Sequence, residues 1–281
     1  MVFYKKRKER KMTPVKLLKL AQKNNVVAVR KALKDGFDIN IMDEDDMTVP
    51  AYYVHTGRNA EILNAFIEGG LDLNAPFGGY GRTLLTEAIA CKNTECADLL
   101  IKLGADVNAV DFSGQSVLIS AVMNKESFET IKMLIDAGAD VLKTDWELKN
   151  AFIRALELQS ERRIVDLLSV AGKDEKTGYT CANAALNTAV IYCDEEEIGL
   201  LLENGTDIDA KEPETGKTAL MYAVEKGNVK TAKLLLSYGA GIDVADQNGK
   251  TAEDYAREQG QHRLVEIFGS VRRQTGKEKN G

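Results

Sequence analysis

Apolar positions in this chain recur at i, i+3 and i+4, in short runs that keep ending on a glycine. Thr231-Ala-Lys-Leu-Leu-Leu-Ser-Tyr-Gly239 is one such run. The spacing predicts an amphipathic helix. A glycine just past its end suits the left-handed turn that closes a helix. Seven glycines share this setting: Gly36, Gly70, Gly104, Gly138, Gly172, Gly205 and Gly239. Their successive separations are 34, 34, 34, 34, 33 and 34 residues. A period held so evenly predicts one supersecondary unit repeated along the chain.

The unit has a constant internal order. After the glycine comes a short extended piece, as in Asp106-Val-Asn108, and then a turn rich in Asp and Gly, as in Asp111-Phe-Ser-Gly114. A Thr or Ser follows that suits a helix N-cap: Thr83, Ser116, Thr218, Thr251. Five positions on stands a small residue, Ala88, Ala121, Ala223 or Ala256, which lets neighbouring helices approach closely. A short turn such as Lys226-Gly-Asn228 then leads into the glycine-terminated helix.

A unit of turn, helix, short turn and helix with this period resembles the ankyrin repeat. The residues that carry the resemblance are Thr218-Ala-Leu-Met-Tyr-Ala223, Thr251-Ala-Glu-Asp-Tyr-Ala256, Thr83-Leu-Leu-Thr-Glu-Ala88 and Gly104-Ala-Asp-Val-Asn108. None keeps the histidine of the family's T-P-L-H-x-A signature. The resemblance covers roughly residues 13–268 and implies an all-α solenoid of about eight helix pairs with short β-hairpin fingers. It also implies a protein partner, held on a concave face of hairpin tips and first helices. Residues 1–12 and 269–281 read as basic tails flanking the array.

The period is broken in places. Gly172 to Gly178 is six residues, where Gly104 to Gly114 is ten. Yet Gly205 arrives on schedule. The next first helix, about Thr180–Tyr192, is therefore expected to be a turn longer, beside a stunted finger that bends or loosens the stack. The loop Asn74-Ala-Pro-Phe-Gly-Gly-Tyr-Gly81 is glycine-rich, and Tyr53 stands where the small alanine is expected.

Composition narrows the function. Apolar residues make up 44% and charged residues 28%, a globular balance, and no apolar run is long enough to span a bilayer. MVFYKKRKERKM has no apolar h-region or cleavage site, so no secretory signal is expected and the cytoplasm is the expected compartment. Residues 1–12 carry +5 and residues 270–281 carry +3; removing both from the net −6 leaves −14 on the body. An acidic body repels phosphate backbones, which makes nucleic acid an unfavoured partner. The basic stretch Lys5–Lys11 has two readings, a solvated tail or a tether to anionic membrane or nucleic acid. Cys91, Cys96, Cys181 and Cys193 form no CxxC. They read as small buried hydrophobes of a reducing compartment, with zinc or a disulfide as the other readings.

Catalytic chemistry finds little to work with. His55 and His262 each stand alone, and there is no GxSxG or HExxH. Asp43-Glu-Asp-Asp46 lacks the ligand spacing of a calcium loop and reads as a solvated tip. Asp194-Glu-Glu-Glu197 reads as a helix start, where the dipole favours carboxylates. Thr215-Gly-Lys-Thr218 matches the end of a P-loop, but Lys211 stands where the motif needs a glycine. The tetrapeptide is read instead as a turn at Gly216 and Lys217 with Thr218 as the next cap. No enzyme, cofactor or metal is expected; the chain is expected to be a monomer, and scaffold, inhibitor and exported effector all remain open readings.

Binding hot spots favour aromatic side chains, and four of the few aromatics fall at expected loop tips: Phe77, Tyr80, Phe112 and Trp146. Phe112 and Trp146 follow Asp111 and Asp145 at equivalent positions. One reading is an aromatic ladder that grips a partner, with Ser113, Gln115 and Glu147 beside it and Tyr179 as an extension. The other is packing of each ring on the neighbouring finger.

Overall fold

The computed structural model describes residues 12–171, 178–192 and 194–278. These residues form sixteen helices and no strand. The fold is an all-α repeat solenoid, and the chain divides into two compact units, residues 1–139 and 140–281.

The first unit holds α1 (Pro14–Gln22), α2 (Val26–Lys34), α3 (Val49–Tyr53), α4 (Ala60–Glu68), α5 (Leu84–Ala90), α6 (Thr94–Lys102), α7 (Val117–Met123) and α8 (Phe128–Asp136). The second holds α9 (Ala151–Glu157), α10 (Arg162–Val170), α11 (Cys181–Tyr192), α12 (Glu195–Glu203), α13 (Ala219–Glu225), α14 (Val229–Ser237), α15 (Ala252–Glu258) and α16 (His262–Glu278). The helices α2, α4, α6, α8, α12 and α14 end on the periodic glycines. Gly104 has φ +94°, and the N–H of Ala105 reaches back to the Leu100 carbonyl at 2.9 Å. That bond is the Schellman closure, and it recurs after α4, α8, α12 and α14. Gly172 lies outside the described residues.

Ala88, Ala121, Ala223 and Ala256 are all fully buried. With no side chain beyond a methyl, they let successive first helices stack, and the apolar stripes of the second helices seal the layer behind them. Phe66 of α4 packs edge-on against Tyr53, ring centroids 5.5 Å apart. Tyr53 occupies the alanine position, and its ring is admitted because Gly57 presents no Cβ; one there would lie 2.2 Å from the ring.

Thr83, Ser116 and Thr251 cap α5, α7 and α15 through their hydroxyls, and Asp254 completes a capping box with Thr251. Thr218 departs from the expectation. It holds the cap backbone geometry, but its hydroxyl makes no capping bond and is buried without a partner.

The expected hairpins shrink to single antiparallel bridges, Phe77–Arg82, Val110–Ser116 and Ala245–Thr251. At Val110–Ser116 and Ala245–Thr251 the carboxylates of Asp111 and Asp246 take N–H groups that a longer ladder would use. The stunted finger falls on residues 172–177, outside the described residues. Its expected consequence is seen in α11, twelve residues against seven in α9 and α13. The polar tail expected from residue 269 continues as helix to Glu278.

Gly216 has φ +72°, and a Cβ there would lie 2.6 Å from the backbone nitrogen of Gln247. Gly216→Ala should therefore cost about 1–3 kcal/mol, read as a lower denaturation midpoint. An unchanged midpoint would mean that the loop carries no such constraint.

Candidate partner-binding loops

Four of the inter-repeat loops are organised around an acid five residues before the cap. The Oδ1 of Asp43, Asp111, Asp145 and Asp246 accepts two backbone N–H groups, from the second and fourth residues on. In Asp111 these are Ser113 at 2.8 Å and Gln115 at 3.0 Å. In Asp43, Asp145 and Asp246 the other oxygen faces the following first helix. Asp43 accepts from the Tyr52 hydroxyl at 2.7 Å, Asp246 from Tyr255 at 2.6 Å, and Asp145 from the Arg154 guanidinium at 2.6 and 2.9 Å. The Tyr52 bond, followed by the Met47 N–H, holds the Asp43 carboxyl below its ordinary range. A side chain thus locks each of these four loops in one conformation before any ligand arrives.

Neighbouring loops are also tied to each other. Gly78 N–H donates to the Asp46 carbonyl at 3.0 Å, Phe112 N–H to Tyr80 at 2.9 Å, and Gln247 N–H to Thr215 at 3.3 Å.

The residue after the acid stands at the tip. Phe112 is 60% exposed and Trp146 77%. Phe112 also lies over the neighbouring loop: a Cβ on Gly81 would meet its ring at 2.4 Å. The ring therefore packs and presents a face at once. Tyr80 is 69% exposed, with the Arg82 guanidinium 5.3 Å from its centroid. Ser113 and Gln115 are half-buried, while Glu147 is exposed and paired to Arg154 at 3.0 Å. Two aromatics differ from expectation. Phe77 is buried, because its backbone pairs with Arg82 and turns the ring inward. Tyr179 is buried and accepts a bond from Asn187 at 2.8 Å.

The Thr-Gly-Lys-Thr turn uses its own donors. Gly216 N–H goes to the Glu212 carbonyl and Lys217 N–H to the Thr215 hydroxyl. The Lys217 ammonium sits 2.6 Å from Glu225 and 5.2 Å from the centroid of Tyr255. A phosphate cradle needs those N–H groups and that ammonium free. Lys250–Glu258 at 2.8 Å and Lys149–Glu157 repeat the same pairing in other loops, so Lys217 follows the repeat pattern.

His55 is not alone. Its Nε2 lies 2.8 Å from Glu87, which also pairs with Arg82 at 3.4 Å. His262 is exposed. Asp194 caps α12 by accepting the Glu197 N–H at 3.0 Å. Burial, then Asp194, pushes the half-buried Glu197 carboxyl up to about 7. Cys96 and Cys181 are buried free thiols, pushed up to about 12 chiefly by that burial. Cys193 and the basic residues 1–11 lie outside the described residues. No group of His, Cys, Asp and Glu among the described residues is placed to hold a metal, and none of their helices is long and apolar enough to cross a membrane.

Sequence reasoning passed over the helix-side partners of the loop acids. Their signal was present, since Tyr52, Arg154 and Tyr255 each stand nine residues after an acid.

Locked loops on stacked helix pairs define a repeat protein of the interaction class. A profile of ankyrin repeats in three copies matches residues 17–111, 57–145, 152–246 and 186–272, and the chain belongs to the ankyrin repeat family. Among curated proteins it is 35% identical over 88 residues to the B-cell lymphoma 3 protein homolog of Mus musculus, covering 31% of this chain and 19% of that one. It is 42% identical over 66 residues to the ARF GTPase-activating protein GIT2 of Mus musculus, covering 24% and 9%. It is 40% identical over 86 residues to the potassium channel AKT3 of Oryza sativa subsp. japonica, covering 30% and 9%. The matched segments span less than a fifth of each relative. Ankyrin repeats are protein-interaction modules, and the shared segments are repeats.

Proposed function

We propose that this chain is a non-catalytic protein-binding module whose contacts are made by its loop tips and the adjoining first helices. The observation that carries the reading is the exposure of Phe112 and Trp146 on loops already locked by Asp111 and Asp145. A pre-ordered aromatic gives up little conformational freedom on binding, and aromatics dominate interface energetics. Tyr80, Ser113, Gln115 and Glu147 flank these anchors. Phe77 supports its loop from beneath.

The test is a pull-down from source-cell lysate read by mass spectrometry, with wild type beside a Phe112→Ala, Trp146→Ala double variant. Circular dichroism confirms that the variant is folded. The expected result is a set of proteins retained by wild type and lost by the variant. Retention of the same proteins by both would overturn the role of these two rings.

A further inference from the structure

The first unit carries an apolar groove beside an acidic tip. The groove has a volume of about 170 Å³ and is lined by Met42, Leu71, Pro76, Phe77 and Leu84, with Asp72 at its edge. Small-molecule sites run to roughly 300–1,000 Å³, so this one has room for a single large side chain. Met42 is 48% exposed and Ile41 45%. Methionine is flexible and polarisable, which lets a groove edge adapt to the side chain it receives.

Met42 leads directly into Asp43-Glu-Asp-Asp46, all four exposed. Asp43 is satisfied by Tyr52 and by its own turn. The carboxylates of Glu44, Asp45 and Asp46 form no ion pair among the described residues. Three arginines of the same unit are paired with other acids: Arg30 with Glu68, Arg58 with Glu95 and Arg82 with Glu87. Among the described residues the tip therefore carries negative charge with no ion-pair partner, next to an apolar groove. The adjoining loop is fastened to it, since Gly78 N–H binds the Asp46 carbonyl and Asn40 donates to the Gly70 carbonyl at 3.1 Å.

We propose that this groove docks a lysine- and arginine-rich segment of a partner protein. One apolar side chain of the segment enters against Met42, Pro76 and Phe77, and its cations lie on Glu44, Asp45, Asp46 and Asp72. Charge complementarity selects the partner and speeds encounter, while the inserted side chain sets the register. The proposal rests on the reading of the chain as a protein-binding module and assigns it a partner class at one site.

The experiment is fluorescence anisotropy with the full chain and a labelled synthetic peptide, Gly-Lys-Arg-Lys-Leu-Phe-Lys-Arg-Lys-Gly. Two variants are compared with wild type. One reverses the tip: Glu44→Lys, Asp45→Lys, Asp46→Lys. The other reverses three exposed acids elsewhere in the same unit: Asp35→Lys, Glu61→Lys, Glu129→Lys. Tip reversal is expected to weaken binding at least about tenfold, and the control reversal less than about threefold. Replacing Leu-Phe of the peptide by Gly-Gly is expected to weaken binding by about tenfold or more. Equal loss in both variants would reduce the effect to net charge and overturn the site. Unchanged binding of the Gly-Gly peptide would overturn the groove's part in it. Neither outcome touches the Phe112 and Trp146 pull-down, so the two readings fail separately.

Discussion

Arg154→Met should destabilise the chain by about 3–5 kcal/mol, and adding Asp145→Asn should recover part of the loss. Both residues are buried, Asp145 at 5% exposure and Arg154 at 9%. The guanidinium gives two bonds to one Asp145 oxygen, at 2.6 and 2.9 Å, and also pairs with Glu157 and Glu147. Removing one partner of a buried pair leaves the other as an unpaired charge out of water, and that residual charge is the main cost. Methionine keeps the apolar stem and removes only the charged head. Asparagine at 145 then discharges the stranded carboxylate, while its Oδ1 still accepts from the Glu147 and Lys149 N–H groups. Urea unfolding followed by far-ultraviolet circular dichroism and by emission of Trp146, the single tryptophan, gives the measurement. A loss below about 1 kcal/mol for Arg154→Met, or no recovery in the double variant, would show that the pair is replaceable by water. Asp145 also fixes the loop that presents Trp146, so on the proposed binding role the same variant would weaken partner retention.

The periodic glycines made the fold readable from the chain. A glycine at the helix end is demanded by a left-handed backbone, so its spacing reports the repeat directly. Gly104 and Gly239 meet that demand at φ +94° and +92°. The length of α11 was readable for the same reason, since the next glycine fixes where the following helix must end. Ring orientation was not readable. Phe77 and Phe112 both fall in loop tips, yet one is buried and the other exposed. The difference lies in backbone pairing: Phe77 bridges Arg82, whereas Phe112 stands one residue past the locking acid. That is a matter of φ and ψ, which residue type in a glycine-rich loop does not specify. Ion pairs such as Arg154 with Asp145 link a loop to a helix across nine residues. They emerge only when loops from different repeats are laid over one another.

The same superposition exposes a residue of the wrong kind at one joint. The N–H groups of Asn93, Glu126, Asn228 and Gln261 each donate to the alanine carbonyl five residues back, so the four positions are equivalent. Two of the amides reach the preceding repeat: Asn93 donates to the Val54 carbonyl at 2.8 Å and Gln261 to Val224 at 2.9 Å. Ile89 holds the corresponding place before Glu126. A carboxylate has no proton to give a carbonyl, and Glu126 Oε1 is buried without a partner. Burial raises the Glu126 carboxyl above its ordinary value, against the opposing pull of Lys92, the Thr130 hydroxyl and the Ser127 N–H. Glu126→Gln restores the donor that Asn93 and Gln261 use, and should stabilise the chain by about 1–3 kcal/mol at about pH 8. A carboxyl with a raised native pKa contributes its stability fully below the ordinary pKa and loses it as pH rises through the native value. Glutamine does not titrate. The gap between variant and wild type should therefore open as pH rises and close toward about pH 4. Melting temperatures of both proteins across that range decide the matter. A constant gap would remove the titration from the explanation, and a less stable variant at about pH 8 would show that Glu126 is held by contacts which glutamine cannot reproduce.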